Sequence, residues 1–309
     1  MKHPDWPPRR AVPVLGLIVF LAVPANSPAG QGTAGLASGE VLLLISSARS
    51  DALFAPVAGG GGLSGLSSNP ASLAGQDYRS ISGSYSQMPG GTRLGQVSAA
   101  SPAGPAVCAL NVGSFNAGEV SLMDDAGMAK TVQTQNDIVG GVSIAMPVGG
   151  GASAGLTFNW YQSTLVEKYR ASTQAVDAGV RWETAGGQAA LAAAVRNIGG
   201  RLDYFASPMS LPVLYALGGS WRAWKGQPGS VSLLAEGNRR AGSGIQYAFG
   251  VEAAVYGVLV LRGGARVDNG LAAAGGGAGL RIRSIGLDYS RVAQAGLPAS
   301  SRVSMETRF

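Results

Sequence analysis

The sequence has 309 residues, of which 48 are glycine and only 13% are charged, and its formal net charge is +6. Its single cysteine, Cys108, excludes an internal disulfide and a cysteine-rich metal site. Its single histidine, His3, lies in a part of the chain that we expect to be removed on export, so histidine-based catalytic and metal sites are excluded as well. The arginines are scattered singly and are not clustered with aromatic residues, so we expect no nucleic-acid partner.

Residues 1–29 have the pattern of a signal peptide. The basic pair Arg9-Arg10 precedes an apolar run from Ala11 to Pro24, and the small residues Ser27-Pro28-Ala29 follow that run. The run is shorter than the roughly 18–20 apolar residues that a membrane-spanning helix needs. A buried core helix is the alternative interpretation, and we favour export.

Residues 30–77 show no steady alternation of apolar and polar positions. They contain an apolar run from Val41 to Ile45 and a glycine run from Gly59 to Gly62, together with many serines and alanines. This composition provides too few large apolar side chains for an independent core. We therefore predict that the segment is not a domain of its own.

From residue 78 onward, apolar and polar residues alternate with the two-residue period of β-strands. We predict an all-β fold, a transmembrane antiparallel β-barrel of fourteen strands, because single-chain bacterial barrels have an even number of strands. A soluble β-sandwich would show the same alternation and is the alternative. The predicted strands are 79–87, 93–101, 104–113, 136–147, 151–161, 173–184, 187–198, 211–224, 228–239, 245–256, 257–267, 271–282, 284–291 and 301–309.

The last predicted strand, 301–309, has a clear two-sided pattern. Val303 and Met305 share one face of the strand, and Glu306 lies on the other face. A charged face opposite an apolar face suits a strand between lipid and a polar lumen. Because an open sheet edge cannot persist in hydrocarbon, we predict that this strand pairs with 79–87 and closes the barrel.

The predicted connections differ in length in a regular way. The four long ones, 114–135, 162–172, 199–210 and 292–300, all follow odd-numbered strands and therefore share one end of the barrel. The connections at the other end are tight. Long loops outside and short turns inside are usual for outer-membrane barrels. We therefore predict a bacterial outer-membrane location with both termini in the periplasm.

Charged residues of the strands are expected to face the lumen, because a basic residue near the bilayer midplane costs about 2–4 kcal/mol. The two signs are nearly balanced, which favours a ladder of cross-strand ion pairs; a functional polar pathway is the alternative. No carboxylate pair stands apart from the ladder, so we expect no enzyme, no catalytic residue, no cofactor and no metal site. The predicted ladder consists of Asp177, Arg181, Glu183, Arg222, Glu236, Glu252, Arg262, Arg281, Asp288, Glu306 and Arg308.

The segment before the first strand resembles a known family. Arg49 follows an alanine, and a glycine-rich stretch then leads to Asn-Pro-Ala-Ser-Leu-Ala at 69–74, which resembles the N-terminal segment of the PorV/PorQ family, related to FadL-type transporters. That family has glycine where this chain has Ser72. The resemblance implies that residues 30–77 fold into the barrel lumen as a hatch. Its motif residues are Arg49, Asn69, Pro70, Ala71 and Leu73.

The same resemblance implies a function. A PorV/PorQ-like barrel would be a partner or shuttle component in protein secretion and surface attachment, with secretion-system proteins or exported cargo as partners. One alternative is a FadL-like, hatch-gated channel with a hydrophobic ligand, and another is a structural scaffold. Outer-membrane lipid is an expected partner in every case. The terminal Phe309 resembles the final aromatic residue that the barrel assembly machinery reads as a signal, so that machinery is an expected partner too.

Overall fold

The computed structural model describes residues 39–123, 127–204, 208–241, 243–268 and 271–309, and the predicted signal peptide lies outside these ranges. No helix within the described ranges is long and apolar enough to cross a membrane. The helices are α1 (Val41–Leu44), α2 (Ala48–Leu53), α3 (Pro56–Gly59) and α4 (Leu63–Leu66), with 3-10 turns at Pro70–Leu73 and Pro89–Gly91. The strands are β1 (Ser80–Gln87), β2 (Arg93–Ala103), β3 (Ala106–Asn116), β4 (Glu119–Met123), β5 (Ala129–Gln133), β6 (Gln135–Gly149), β7 (Ala152–Leu165), β8 (Tyr169–Glu183), β9 (Ala189–Gly199), β10 (Arg201–Leu202), β11 (Met209–Ser210), β12 (Leu214–Lys225), β13 (Gly229–Arg240), β14 (Ile245–Val255), β15 (Leu259–Asp268), β16 (Leu271–Ile282), β17 (Ile285–Gln294) and β18 (Leu297–Arg308).

Fourteen of these strands form a closed antiparallel barrel, which confirms the predicted fold. Around the wall their order is β1-β18-β17-β16-β15-β14-β13-β12-β9-β8-β7-β6-β3-β2. The first and last strands close the sheet, with Tyr85 opposite Val303 and Ser80 opposite Arg308. Closure leaves no strand edge with unpaired main-chain groups facing lipid.

The two faces of the wall differ in polarity. In β3, Leu110 and Val112 are exposed on the outer surface, whereas Ala109 and Asn111 are buried toward the lumen. Large exposed apolar side chains recur on the barrel strands all around the wall. A soluble sandwich would bury such side chains between its sheets, whereas a membrane barrel presents them to lipid. The structure therefore excludes the sandwich alternative.

The connections define two different ends of the barrel. At one end, called here the long-loop end, segments 117–134 and 200–213 carry the two-stranded sheets β4–β5 and β10–β11, which the sequence did not predict. At the opposite, short-turn end, the joining segments are as short as 104–105 and 150–151. The expected contrast in loop length between the two ends is therefore present in these two loops.

Two of the predicted long loops are wrong in extent. The strands on either side of 162–172 continue into it, and only 166–168 remains as a turn. In the same way, 292–300 shrinks to 295–296. Strand ends are set by how far the main-chain ladder continues, and a ladder can run on beyond the apolar alternation that membrane contact requires.

Residues 39–77, called here the lumenal segment, lie inside the barrel. The main-chain N–H of Ala48 donates to Ser304 Oγ of β18 at 2.9 Å. On another side of the lumen, the N–H of Val57 donates to the Glu236 carboxylate of β13 at 2.7 Å. The segment thus hydrogen-bonds to inward-facing groups on widely separated strands. Its function as a hatch stays a prediction.

We predict that the long-loop end faces the cell exterior, since outer-membrane barrels keep their short turns in the periplasm. In a background where Cys108 is replaced by serine, a cysteine at Lys130 should react with a membrane-impermeant maleimide on intact cells. A cysteine at Gly186, in a turn at the other end, should react only after the outer membrane is permeabilised. Labelling of Gly186→Cys but not Lys130→Cys on intact cells would reverse the orientation.

Candidate functional site

The predicted motif at 69–73 docks against the barrel wall. The Asn69 side chain accepts a hydrogen bond from the N–H of Ala71 at 2.9 Å, and its Nδ2 donates to the carbonyl of Val180 in β8 at 3.1 Å. Pro70 begins the 3-10 turn, where its fixed φ and missing N–H are tolerated. Leu73 is fully buried. The motif therefore fixes the end of the lumenal segment to the wall.

Two inward-facing glycines make room for this motif. A Cβ atom added to Gly155 would lie 2.5 Å from main-chain atoms of Pro70 and Ala71. A Cβ atom added to Gly179 would collide with the Asn69 side chain. Any larger residue at either position would push the motif away from the wall. The wall is therefore shaped to hold the segment at this point.

A chain of ion pairs joins α2 to the adjacent strands β14–β17 of the wall. Arg49 forms a bidentate pair with Glu252 of β14, with its Nε 2.8 Å from Oε2 and its Nη2 3.0 Å from Oε1. Arg262 of β15 lies 2.7 Å from Glu252 and 2.6 Å from Asp288 of β17. Arg281 of β16 lies 2.9 Å from Asp288 and ends the chain.

The charge of Arg49 is maintained by this arrangement. Burial alone would lower the pKa of Arg49, but the attraction and hydrogen bonds of Glu252 outweigh burial, so its pKa lies above the ordinary value. A second ion pair anchors the other face of α2, where Arg302 of β18 lies 2.7 Å from Asp51. Arg302 also donates to the carbonyl of Ser46 at 2.7 Å. Neither Asp51 nor Arg302 was in the predicted ladder.

The remaining ladder residues are distributed differently. Arg181 pairs with Glu183 at 2.6 Å and Arg308 with Glu306 at 3.0 Å, in each case along one strand and not across two. Within the described ranges, the other three ladder residues form no ion pair, and each meets a hydrogen-bonding group instead. These are Asp177, Glu236 and Arg222.

At the extreme C-terminus, the main chain of Phe309 pairs with that of Arg79, with N···O distances of 3.0 and 3.1 Å. The Phe309 side chain is exposed. The terminal residue therefore extends the seam between the first and last strands. Its function as an assembly signal stays a prediction.

An apolar cluster fills the lumen nearer the long-loop end. Leu42 of α1 and the adjacent Ile45 pack with Phe115, Tyr161 and Leu202 of the surrounding strands and loops. All five side chains are buried. Together with the ion-paired α2, this cluster occupies part of the lumen.

The wall itself is interrupted in the middle of β8. Val176 pairs with Ile198 and Ala178 with Val195, so that one residue of β8 faces two residues of β9, the arrangement of a β-bulge. Three further register shifts occur in the described strands, and each lies within a few residues of a strand end. The interruption between β8 and β9 also lies near the end of one strand, β9, but differs from the others because it falls in the middle of its partner strand, β8.

Asn197 is the extra residue of this bulge. It has a positive φ of 59°, which asparagine tolerates better than most residues. Its N–H donates to Asp177 Oδ1 at 2.6 Å, and its Nδ2 donates to the carbonyl of Pro212 at 3.1 Å. Pairing of β9 with β12 ends at Arg196, so the chain beyond it has a neighbouring strand on one side only.

No bulge was predicted from the sequence at this point. An asparagine followed by Gly199-Gly200 was the available signal, because asparagine and glycine are the residues that most readily adopt positive φ.

Cavities lie on both sides of the bulge. The inner cavity, about 20 Å³, lies between Leu42 of α1 and wall residues that include Asp177 and Arg196. On the outer surface, a recess of about 530 Å³ is lined by Trp160 and Ile198 among other residues. The inner space holds about one water molecule, because a water needs roughly 10–15 Å³. Asp177 and Asn197 line the inner cavity, and their chain neighbours Val176 and Ile198 line the outer recess, so the bulge lies between the two.

Comparison with known proteins identifies the class of fold. No protein-family profile and no curated protein matches the sequence. Among solved structures, a Pseudomonas aeruginosa FadL homologue matches with TM-score 0.58 and 11% identity, covering 85% of this chain and 98% of that one. The Pseudomonas putida toluene transporter TodX matches with TM-score 0.57 and 11% identity, covering 85% and 96%. The monoaromatic hydrocarbon channel CymD matches with TM-score 0.54 and 12% identity, covering 80% and 93%.

The chain therefore has the fold of the FadL-like outer-membrane barrels. These similarities support the FadL-like part of the resemblance seen in the sequence. The closer likeness to PorV/PorQ proteins stays a prediction.

We predict that Gly155→Ala releases the lumenal segment from the wall, because the added Cβ would overlap main-chain atoms at 69–73. Overpacking of this kind costs about 1–3 kcal/mol. Protease added to the purified barrel should then cleave within 47–75, while the barrel keeps its heat-modifiable mobility on gels. Gly140→Ala, on the outer face of the neighbouring strand where a Cβ meets nothing within 4 Å, is the matched control. Equal protease resistance of the two variants would contradict the docking described above.

Proposed function

We propose that this chain is an outer-membrane channel for small hydrophobic molecules, which leave the lumen through the wall at the bulge between β8 and β9. The observation that carries the proposal is the bulge in the middle of β8, with an inner cavity and an outer recess on its two sides. In this proposal the lumenal segment is the hatch that keeps the lumen closed until a ligand enters.

The chemistry of the two ends of the lumen favours an exit through the wall. A molecule moving straight toward the short-turn end would meet the lumenal segment and the ion pairs of Arg262, Asp288 and Arg281. Charged groups do not replace the contacts that a hydrophobic molecule makes with the apolar cluster around Leu42, so moving toward them is unfavourable. A path through the barrel wall is therefore more favourable for such a molecule than a path toward the short-turn end.

An exit through the wall also delivers the ligand into lipid, which is a better solvent than water for a hydrophobic molecule. The recess outside the bulge is lined in part by Phe158 and Trp160, which face lipid. A hydrophobic molecule that passes into lipid avoids water, which would cost about 25 cal/mol for each Å² of apolar surface exposed. The transport activities in the names of the matched structures, for toluene and for monoaromatic hydrocarbons, support the same class of ligand.

Two alternatives predicted from the sequence are retained. A PorV/PorQ-type secretion partner and a structural scaffold would both suit a closed barrel, but neither function needs a bulge between two cavities. In none of these proposals does the chain act as an enzyme.

The bulge can be removed by one deletion. Val176 pairs with Ile198 and Ala178 pairs with Val195, so β9 has one residue more than β8 between these two pairs. Deleting Asn197 therefore restores one continuous register and keeps Arg196 facing inward and Ile198 facing outward. In cells carrying this deletion, we predict that the barrel-dependent uptake of radiolabelled toluene falls at least about tenfold, because the wall then has no interruption at this point.

Asn197→Gly is the matched control, since glycine keeps both the extra residue and the positive φ. It should retain uptake, and immunoblots should show equal amounts of folded barrel for all variants. Undiminished toluene uptake through the deletion variant would refute the exit at the bulge. If wild-type cells took up no more toluene than cells lacking the barrel, the channel function itself would be wrong, and the secretion and scaffold alternatives would stand.

A further inference from the structure

Four exposed arginines lie on the outer face of the barrel wall. They are Arg93 of β2, Arg170 of β8, Arg239 of β13 and Arg291 of β17. Each shares its face with exposed apolar residues of the same strand. Each also lies within four residues of the strand end that belongs to the long-loop end of the barrel. The outer face therefore carries basic side chains at the border of its apolar surface.

The guanidinium groups of these four arginines have no counter-charge on the outer face. With no described residue do they form an ion pair, a side-chain hydrogen bond or an aromatic contact. Every carboxylate of the described barrel strands lies on the inner face. Glu167, in the turn before Arg170, accepts instead from the N–H of Gln133 at 3.1 Å. The outer face thus offers positive charge to a molecule outside the barrel.

Two of the four arginines are joined by an unbroken polar row across the seam where the barrel closes. Arg291 of β17 is opposite Ser301 of β18. Gln87 of β1 is opposite both Ser301 and Arg93 of β2. All four residues are on the outer face, and the two arginines are three strand spacings apart, about 14 Å. These four residues are called here the seam patch.

A row of large side chains lies directly below the seam patch, nearer the middle of the wall. Tyr289, Val303 and Tyr85 are opposite one another and exposed on the outer face, two residues from the patch along β17, β18 and β1. The Tyr289 hydroxyl lies 3.3 Å from Ser301 Oγ. Aromatic residues in such a position are typical of the membrane–water interface. The patch is therefore expected at the level of lipid headgroups, and the row below it at the level of acyl chains.

We propose that the seam patch binds the phosphate groups of a phosphorylated lipid in the outer leaflet, whose acyl chains lie against the row of Tyr289, Val303 and Tyr85. A guanidinium matches a phosphate through two parallel hydrogen bonds, and two guanidiniums suit a headgroup with more than one phosphate. An acidic protein segment would satisfy the charges alone, whereas the apolar row directly below favours an amphipathic partner. The bound lipid spans β17, β18, β1 and β2 and so bridges the seam. The inference is independent of the channel function and requires the long-loop end to face the cell exterior.

Diphosphoryl lipid A and its fully dephosphorylated form are matched probes, since they have the same acyl chains and differ only in phosphate. Native mass spectrometry of the purified full barrel in detergent should show the diphosphoryl form binding at least about tenfold more tightly, as expected for charge-assisted hydrogen bonds. Arg93→Gln combined with Arg291→Gln should remove this preference, and the double lysine variant at the same positions should retain part of it. The control, Arg79→Gln combined with Arg283→Gln, removes two charges at the short-turn end and should keep the preference.

Three results would overturn this inference. The first is equal binding of the two lipids by the wild type, and the second is an unchanged preference in the double glutamine variant. The third is displacement of the bound lipid by an equal concentration of inorganic phosphate, because the patch would then recognise phosphate and not a lipid. Heat-modifiable mobility on gels confirms that each variant is folded before its lipid binding is compared.

Discussion

Hydrogen-bond closure of the wall is the constraint on which the rest of this structure depends. In hydrocarbon, every main-chain N–H and C=O needs a partner, so the first and last strands must pair along their length. An interruption in the middle of β8 is therefore costly and needs compensation. The Asp177 carboxylate accepts from the N–H of Asn197, and the Asn197 side chain reaches the carbonyl of Pro212. The ladder is interrupted at this point, and the buried side chains of Asp177 and Asn197 provide hydrogen bonds there.

The lumenal segment follows from the same constraint. A closed wall presents small and polar side chains inward, and these provide both the room and the partners for a segment that has little core of its own. Glycines of β7 and β8 receive the Asn-Pro-Ala motif, and buried carboxylates receive Arg49 and the N–H of Val57. Since breaking a buried ion pair leaves a charge without its partner, the segment is held firmly but by few contacts.

The sequence was sufficient for the parts of the fold that are local. The period-two alternation and the turn residues between strands predicted fourteen strands, and closure required the pairing of 79–87 with 301–309. What it could not predict depends on register. Arg262 reaches Asp288 across an intervening strand, and Arg302 reaches Asp51 from the far end of the chain. The bulge depends on one extra residue, which no apolar pattern marks, and the small sheets β4–β5 and β10–β11 lie where membrane contact no longer imposes alternation.

The claim that the lumenal segment closes the lumen is tested most directly by single-channel conductance in planar bilayers. The comparison is between the wild-type barrel and one lacking residues 47–68. The wall keeps its own ion pairs in this deletion, because Arg262 still contacts Glu252 and Asp288. We expect both barrels to be folded and the deletion to conduct severalfold more than the wild type. Equal conductance of the two folded barrels would contradict the account.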